Sequence, residues 1–152
     1  MSETAYGAGL KMLARRELSE SQLRHRLARK EYPADEIDAA IERLKANRSL
    51  SDERVAGAIA RMETGIRKRG KLRVKRQIEA AGISSAVAQR AIDEVFETID
   101  PDALLAASLQ KRLRGRERIA DQREYARLYR YLLGQGFDSA QIGKALRKAK
   151  GS

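Results

Sequence analysis

Apolar residues recur along this chain in a spacing that repeats three times. Leu23, Leu27, Tyr32, Ile37 and Ile41 form one series, and Val74, Ile78, Ile83, Ala88 and Ile92 a second. Leu128, Leu132, Phe137, Ile142 and Leu146 form a third. The three align without a gap, at offsets of 51 and then 54 residues. Apolar positions four apart on both sides of a central break describe two helices, each with one apolar face. The break holds Glu31, Gly82 and Gly136 in one column, each followed by an apolar residue. A helix that ends in a left-handed C′ residue, with the next apolar side chain folded back on it, has this pattern. Pro33, Ser84 and Asp138 then open a new helix, and Asp138 with Gln141 resembles a capping box.

A further helix precedes each pair. In the first unit, Leu10 and Leu13 mark one face of a helix over roughly residues 4–17, and Ser19 with Gln22 caps the next. In the second, Ser51 serves as N-cap, with Asp52 and Glu53 in the first turn, where the helix dipole favours acids. Val55, Ile59, Met62 and Ile66 supply its apolar stripe. In the third, Asp100-Pro101-Asp102 reads as cap, proline at the first helical position and an acid after it. Leu105, Leu109 and Leu113 give that helix its face, and Asp121 with Glu124 reads as a second capping box. The pattern predicts an all-α fold, an elongated tandem array of three three-helix repeats over 1–50, 51–99 and 100–152. A unit of about 50 residues buries little surface alone, so neighbours must stack.

Composition narrows the function. The 152 residues are 35% charged and 42% apolar, enough for a folded core. There is no cysteine, which suits a reducing cytoplasm and removes thiolate chemistry. No apolar run reaches the roughly 18 residues of a membrane span, and the opening Met1-Ser2-Glu3-Thr4 is unlike a signal peptide. The single histidine, His25, lies between Arg24 and Arg26 as a solvated residue. Asp35, Glu36 and Asp38 open a helix rather than forming a metal site. No zinc-protease, phosphate-loop or dinucleotide motif occurs. The reading is of a non-enzymatic protein without cofactor or metal.

Net charge is +11, distributed as +2 over 1–50, +2 over 51–100 and +7 over 101–152. Such a surface attracts polyanions. Three clusters carry it. Seven of the ten residues Arg67–Arg76 are basic and none is acidic. Gly70 breaks the helix there, leaving Arg67, Lys68, Arg69 and Lys71 exposed at a corner. Arg73 and Arg76 then point away from inward-facing Val74 and Ile78. The second cluster holds Lys111, Arg112, Arg114 and Arg116. The third lies on the helix Asp121–Gly134, where Arg123, Arg127 and Arg130 fall opposite Leu128 and Leu132. Tyr125 and Tyr129 lie near the core side, and Tyr131 borders the arginines. Cations beside an aromatic ring suit single-stranded nucleic acid.

These residues resemble the RecX family. The opening Leu13-Ala14-Arg15-Arg16-Glu17-Leu18-Ser19 and Leu23-Arg24-His25-Arg26-Leu27 are similar to its first two helices, followed in register by Tyr32-Pro33 and the helix Ile37 to Leu44. Leu50-Ser51-Asp52-Glu53-Arg54-Val55-Ala56 resembles the start of its second unit. Gly70, Leu72-Arg73-Val74-Lys75 and Ile78 resemble its next helix entry. The likeness spans essentially the whole chain. Lys71 stands where that family commonly has proline, Val55 where it has an aromatic, and Glu31 and Arg48 where glycine is frequent. The resemblance implies a cytoplasmic, monomeric regulator that lies in the groove of a RecA–single-stranded DNA filament. Such a regulator inhibits filament growth, ATP hydrolysis, strand exchange and coprotease activity, and so bears on DNA repair and the SOS response. The partners implied are the RecA filament and single-stranded DNA, with duplex DNA as a further ligand. The residues also fit a general DNA-binding helical protein or transcription regulator, since three-helix units hold helix-turn-helix geometry.

Overall fold

Helix signals in the sequence become helices almost one for one. A computed structural model describes residues 3–150, so the outermost residues of the 1–50 and 100–152 units lie outside the described residues. The first three helices are α1 (Ala5–Arg15), α2 (Glu20–Arg29) and α3 (Ala34–Ala46). The next three are α4 (Asp52–Gly65), α5 (Lys71–Ala80) and α6 (Ser85–Val95). The last three are α7 (Pro101–Leu113), α8 (Gln122–Gly134) and α9 (Ser139–Ala149). No strand occurs among the described residues.

Each triad has its own core. Leu18, Leu23, Leu27, Ile41 and Leu44 fill the first, and Val74, Ile78, Ile83 and Ile92 the second. Leu105, Leu109, Leu113, Leu128, Leu132, Ile142 and Leu146 fill the third. Phe96 packs against both the second and third cores. The accessible surface is 9602 Å² for 17.0 kDa. A compact chain of that mass would expose roughly 7,700 Å², so the array is extended.

The middle helices of the triads meet end to end. At the end of α5, the carbonyl of Ala81 accepts a hydrogen bond from the Ser19 hydroxyl at the start of α2. At the end of α8, the carbonyl of Gln135 accepts from Gly70 N–H at 2.8 Å, and that of Gly136 accepts from Leu72 N–H at 3.1 Å. Ser19 and Gly70 are the N-caps of α2 and α5, and Ala81 and Gln135 are the C-caps of α5 and α8, so the two joints are equivalent. Each sets the negative end of one helix dipole against the positive end of the next and pairs polar groups that a lone helix leaves open. The approach is close. A Cβ on Gly136 would meet Arg73 N at 2.3 Å, and one on Gly82 would meet the Ser21 side chain. Both glycines have positive φ, 97° and 81°. Glu31, in the same column, is left-handed too at φ 67°.

Four local expectations need correction. Leu13 packs only at the edge of the first core and Leu10 is exposed; the buried face of α1 is Ala5, Ala8 and Gly9. A Cβ on Gly9 would stand 2.9 Å from a Leu44 methyl, so α1 and α3 meet too closely there for a larger residue at position 9. On α4 the buried residues are Val55, Ala56, Ala60, Glu63 and Thr64. Val55 and Ile59 of the expected stripe pack on the core, but further along the buried face is turned by about one residue, roughly 100°, which leaves Met62 and Ile66 exposed. Asp121 accepts from Glu124 N–H at 2.9 Å, but the Glu124 carboxylate accepts from Ala120 N–H instead of closing the box. Asp138 accepts from Ala140 and Gln141 N–H, while the Gln141 amide donates to Asp102. Ser19 and Gln22 form a complete box.

Two predictions follow from this packing. Gly136→Ala should cost roughly 3 kcal/mol in chemical denaturation, against about 1 kcal/mol for Gly115→Ala. Both glycines have positive φ, but Gly115 has open space around it, so equal losses would show that the joint is not tight. The second concerns Glu124, whose carboxyl is held down to about 2 by the Arg116 guanidinium and then by Ala120 N–H. Its folded value is depressed, so its stabilisation is full above about pH 4.5 and is lost as the pH falls through about 2. Glu124→Gln should therefore lower Tm at neutral pH and barely change it near pH 2.

Candidate functional site

The loop from Ile66 to Gly70 is built around a buried carboxylate. Glu63 is 1% exposed and takes Arg69 Nη1 at 2.8 Å, with Arg67 Nη1 at 3.6 Å. Arg69 N–H also donates to the Glu63 carbonyl at 3.0 Å. Arg69 is therefore not an exposed corner charge; its side chain is 15% exposed and holds the loop shut. Lys68 is half-buried, with a left-handed φ of 54° that turns the chain. Arg67 remains half-exposed. Lys71 lies with Nζ 5.0 Å from the Phe96 ring centroid.

Arg73 also departs from expectation. Instead of pointing into solvent, its Nη1 donates to Gly134 O at 2.9 Å and reaches Gln135 Oε1 at 3.4 Å. The α8 carbonyls draw it into the joint, since a cation is stabilised at a helix C-terminus. Arg76, three residues on, is exposed.

In the second cluster, Arg116 forms a two-pronged pair with Glu124, at 3.1 and 2.6 Å, and so fastens the α7–α8 loop. Arg112 lies with its guanidinium 4.6 Å from the Tyr131 ring centroid. Lys111 and Arg114 are exposed, and Arg114 takes a left-handed φ of 52° as the cap of α7. Tyr131 packs on the third core with Arg112 over its ring, which leaves that ring face no room for a base. Tyr125 and Tyr129 pack on the same core.

The third cluster keeps its charges outward. Arg123, Arg127 and Arg130 are exposed on one side of α8, opposite buried Leu132. The end-to-end joint puts this helix in line of contact with α5 and its Arg76. Arg76 and Arg130 stand at equivalent repeat positions, two residues after Val74 and Leu128, as His25 does after Leu23. His25 is exposed, with Nδ1 2.8 Å from Ser21 O. Sequence reasoning singled out neither Glu63 nor the pairing role of Glu124. The signal for Glu63 was its register with Ala56 and Ala60 on the small-residue face of α4. Among the described residues no group of three or more His, Cys, Asp and Glu could hold a metal ion, and no helix is long and apolar enough to cross a membrane.

The surface is thus a set of outward cations on a three-unit helical array, and known proteins share the array. Residues 5–44 match the first three-helix domain of RecX, and residues 100–146 match its third. The chain is 31% identical over 139 residues to the regulatory protein RecX of Syntrophotalea carbinolica, covering 91% of each. It is 35% identical over 136 residues to that of Actinobacillus pleuropneumoniae serotype 5b, covering 88% of this chain and 85% of the relative. The fold is similar to the crystal structure of RecX from Lactobacillus salivarius, with a TM-score of 0.77 at 19% identity over 95% of this chain and 94% of the other. With two units matched and relatives aligned along nearly their full length, this chain belongs to the RecX family of regulatory proteins.

Proposed function

We propose that this protein is a negative regulator of the RecA recombinase. It binds the RecA–single-stranded DNA filament and inhibits filament growth, ATP hydrolysis, strand exchange and coprotease activity. It acts in the cytoplasm as a monomer, by occupancy rather than by catalysis, and needs no cofactor. The units 1–50, 51–99 and 100–152 lie along the filament as one array.

Family membership supports the class of activity. The observation that carries the contact surface is the free cationic side of the middle helices. Arg76 on α5 and Arg123, Arg127 and Arg130 on α8 are exposed, and Arg127 also bears on the Glu124 carboxylate. Lys68, Arg67, Lys111 and Arg114 extend that surface. Arg69, Arg73 and Arg116 serve indirectly, by holding the loops and the joint in place. Free arginines on a rigid array suit phosphates or carboxylates at fixed spacing.

The test is the single-stranded-DNA-dependent ATPase of the cognate RecA, with this protein titrated in and DNA in excess so that sequestration cannot mimic inhibition. Loss of ATPase at low protein-to-RecA ratios is the outcome for blocked filament growth. Loss only near equal ratios is the outcome for occupancy along the groove. No loss at any ratio would sink the reading and favour a general DNA-binding protein. Arg76→Glu with Arg130→Glu should keep the wild-type Tm and weaken inhibition roughly tenfold or more, with a shallower salt dependence. Arg73→Glu should instead lower Tm, because it breaks the joint.

A further inference from the structure

Val55, Ile59, Met62 and Ile66 share one face of α4, three or four residues apart. Their burial falls steadily along the helix. Val55 belongs to the second core and Ile59 packs at its edge, while Met62 is 41% exposed and Ile66 is 71% exposed. The stripe leaves the core because α4 packs through its neighbouring face of Ala56, Ala60 and Thr64. Met62 and Ile66 lie one turn apart at the helix end, apolar and uncovered.

The tip is held rather than frayed. Ile66 N–H donates to Met62 O at 3.0 Å, Arg67 N–H to the same carbonyl at 3.3 Å, and Arg69 N–H to Glu63 O. The Gln135 amide of the third unit donates to Arg67 O at 3.4 Å. Cations surround the tip: Arg61 before it, Arg67 and Lys68 after it. The sole acid between residues 61 and 76 is Glu63, which is buried against Arg69 and lies 3.6 Å from half-exposed Arg67. The tip is therefore an aliphatic pair rimmed by positive charge.

Nucleic acid would satisfy the rim but not the pair, because Met and Ile have no ring on which a base can stack. The complement is a protein surface with an apolar pocket bordered by carboxylates. Such a pocket desolvates the aliphatic side chains, and its acidic rim orients the approach.

We propose that Met62 and Ile66, flanked by Arg67 and Lys68, anchor the chain in an acid-rimmed apolar pocket on its protein partner. This rests on the function proposed above, with RecA as that partner, and deepens it. The α4 tip adds an apolar protein contact to the cationic surface of α5 and α8.

The test compares wild type with Ile66→Ser and with Met62→Ser/Ile66→Ser. Affinity is measured for a cognate RecA filament assembled on single-stranded DNA with a non-hydrolysable nucleotide, and separately for the free oligonucleotide. The double variant should bind the filament roughly tenfold or more weakly, the single variant by an intermediate amount. Both should keep the wild-type oligonucleotide affinity and Tm. Unchanged filament binding would overturn the anchor. A parallel loss on free oligonucleotide would overturn it too, and make the tip a nucleic-acid contact. Failure of the wild-type chain itself to bind the filament would instead remove the RecA reading, and this partner with it.

Discussion

The architecture depends on the close meeting of one middle helix's C-terminal carbonyls with the N-terminus of the next. Three units of about 50 residues have small separate cores, and Phe96 packs on two of them. What turns the units into one body is the end-to-end docking of α8 on α5 and of α5 on α2. The groups that meet would otherwise need water or caps, so the joint satisfies polar atoms and aligns dipoles at once. Around the first joint, Asp52 accepts from Glu20 N–H at 2.8 Å, and Arg54 reaches Glu17 at 2.8 Å.

The same joints decide which cations are left for a partner. A helix C-terminus attracts the nearest arginine, and Arg73 goes there. A buried carboxylate requires a counterion, and Arg69 supplies it to Glu63. The α7–α8 loop is fastened by Arg116 on Glu124. Arg76, Arg123, Arg127 and Arg130 are among the arginines that remain outward. A surface of high charge thus divides into a structural half and an available half, and local geometry draws the line.

The fold was legible because its signals are local. Gapless spacing, caps at Ser19, Ser51, Asp100 and Asp121, and the left-handed column at Glu31, Gly82 and Gly136 all act within a turn or two. The exposed arginines of α8 were legible for the same reason, since about 100° per residue places them opposite Leu128 and Leu132. What escaped is whatever depends on another unit or on packing distance. Periodicity cannot tell that α1 sits near enough to α3 to demand Gly9, so Leu10 looked like core. It cannot show that residues 134–136 lie against Arg73. Nor can it explain why glycine is used at 82 and 136 but not at 31. The reason is steric: another helix N-terminus crowds the first two, while Glu31 is exposed and bears only its own φ cost.

The joint between the second and third units also bears on how far such sequences can drift. Its hydrogen bonds from Gly70 and Leu72 to Gln135 and Gly136 run from main chain to main chain. Apart from Arg73, Gln135 and Phe137, side chains enter it mainly by being absent. Mutation acts on side chains, so a joint of this kind persists while most of the surface and much of the core are exchanged. The alignment of units then outlasts the wording of the sequence, as it does here at a TM-score of 0.77 with 19% identity.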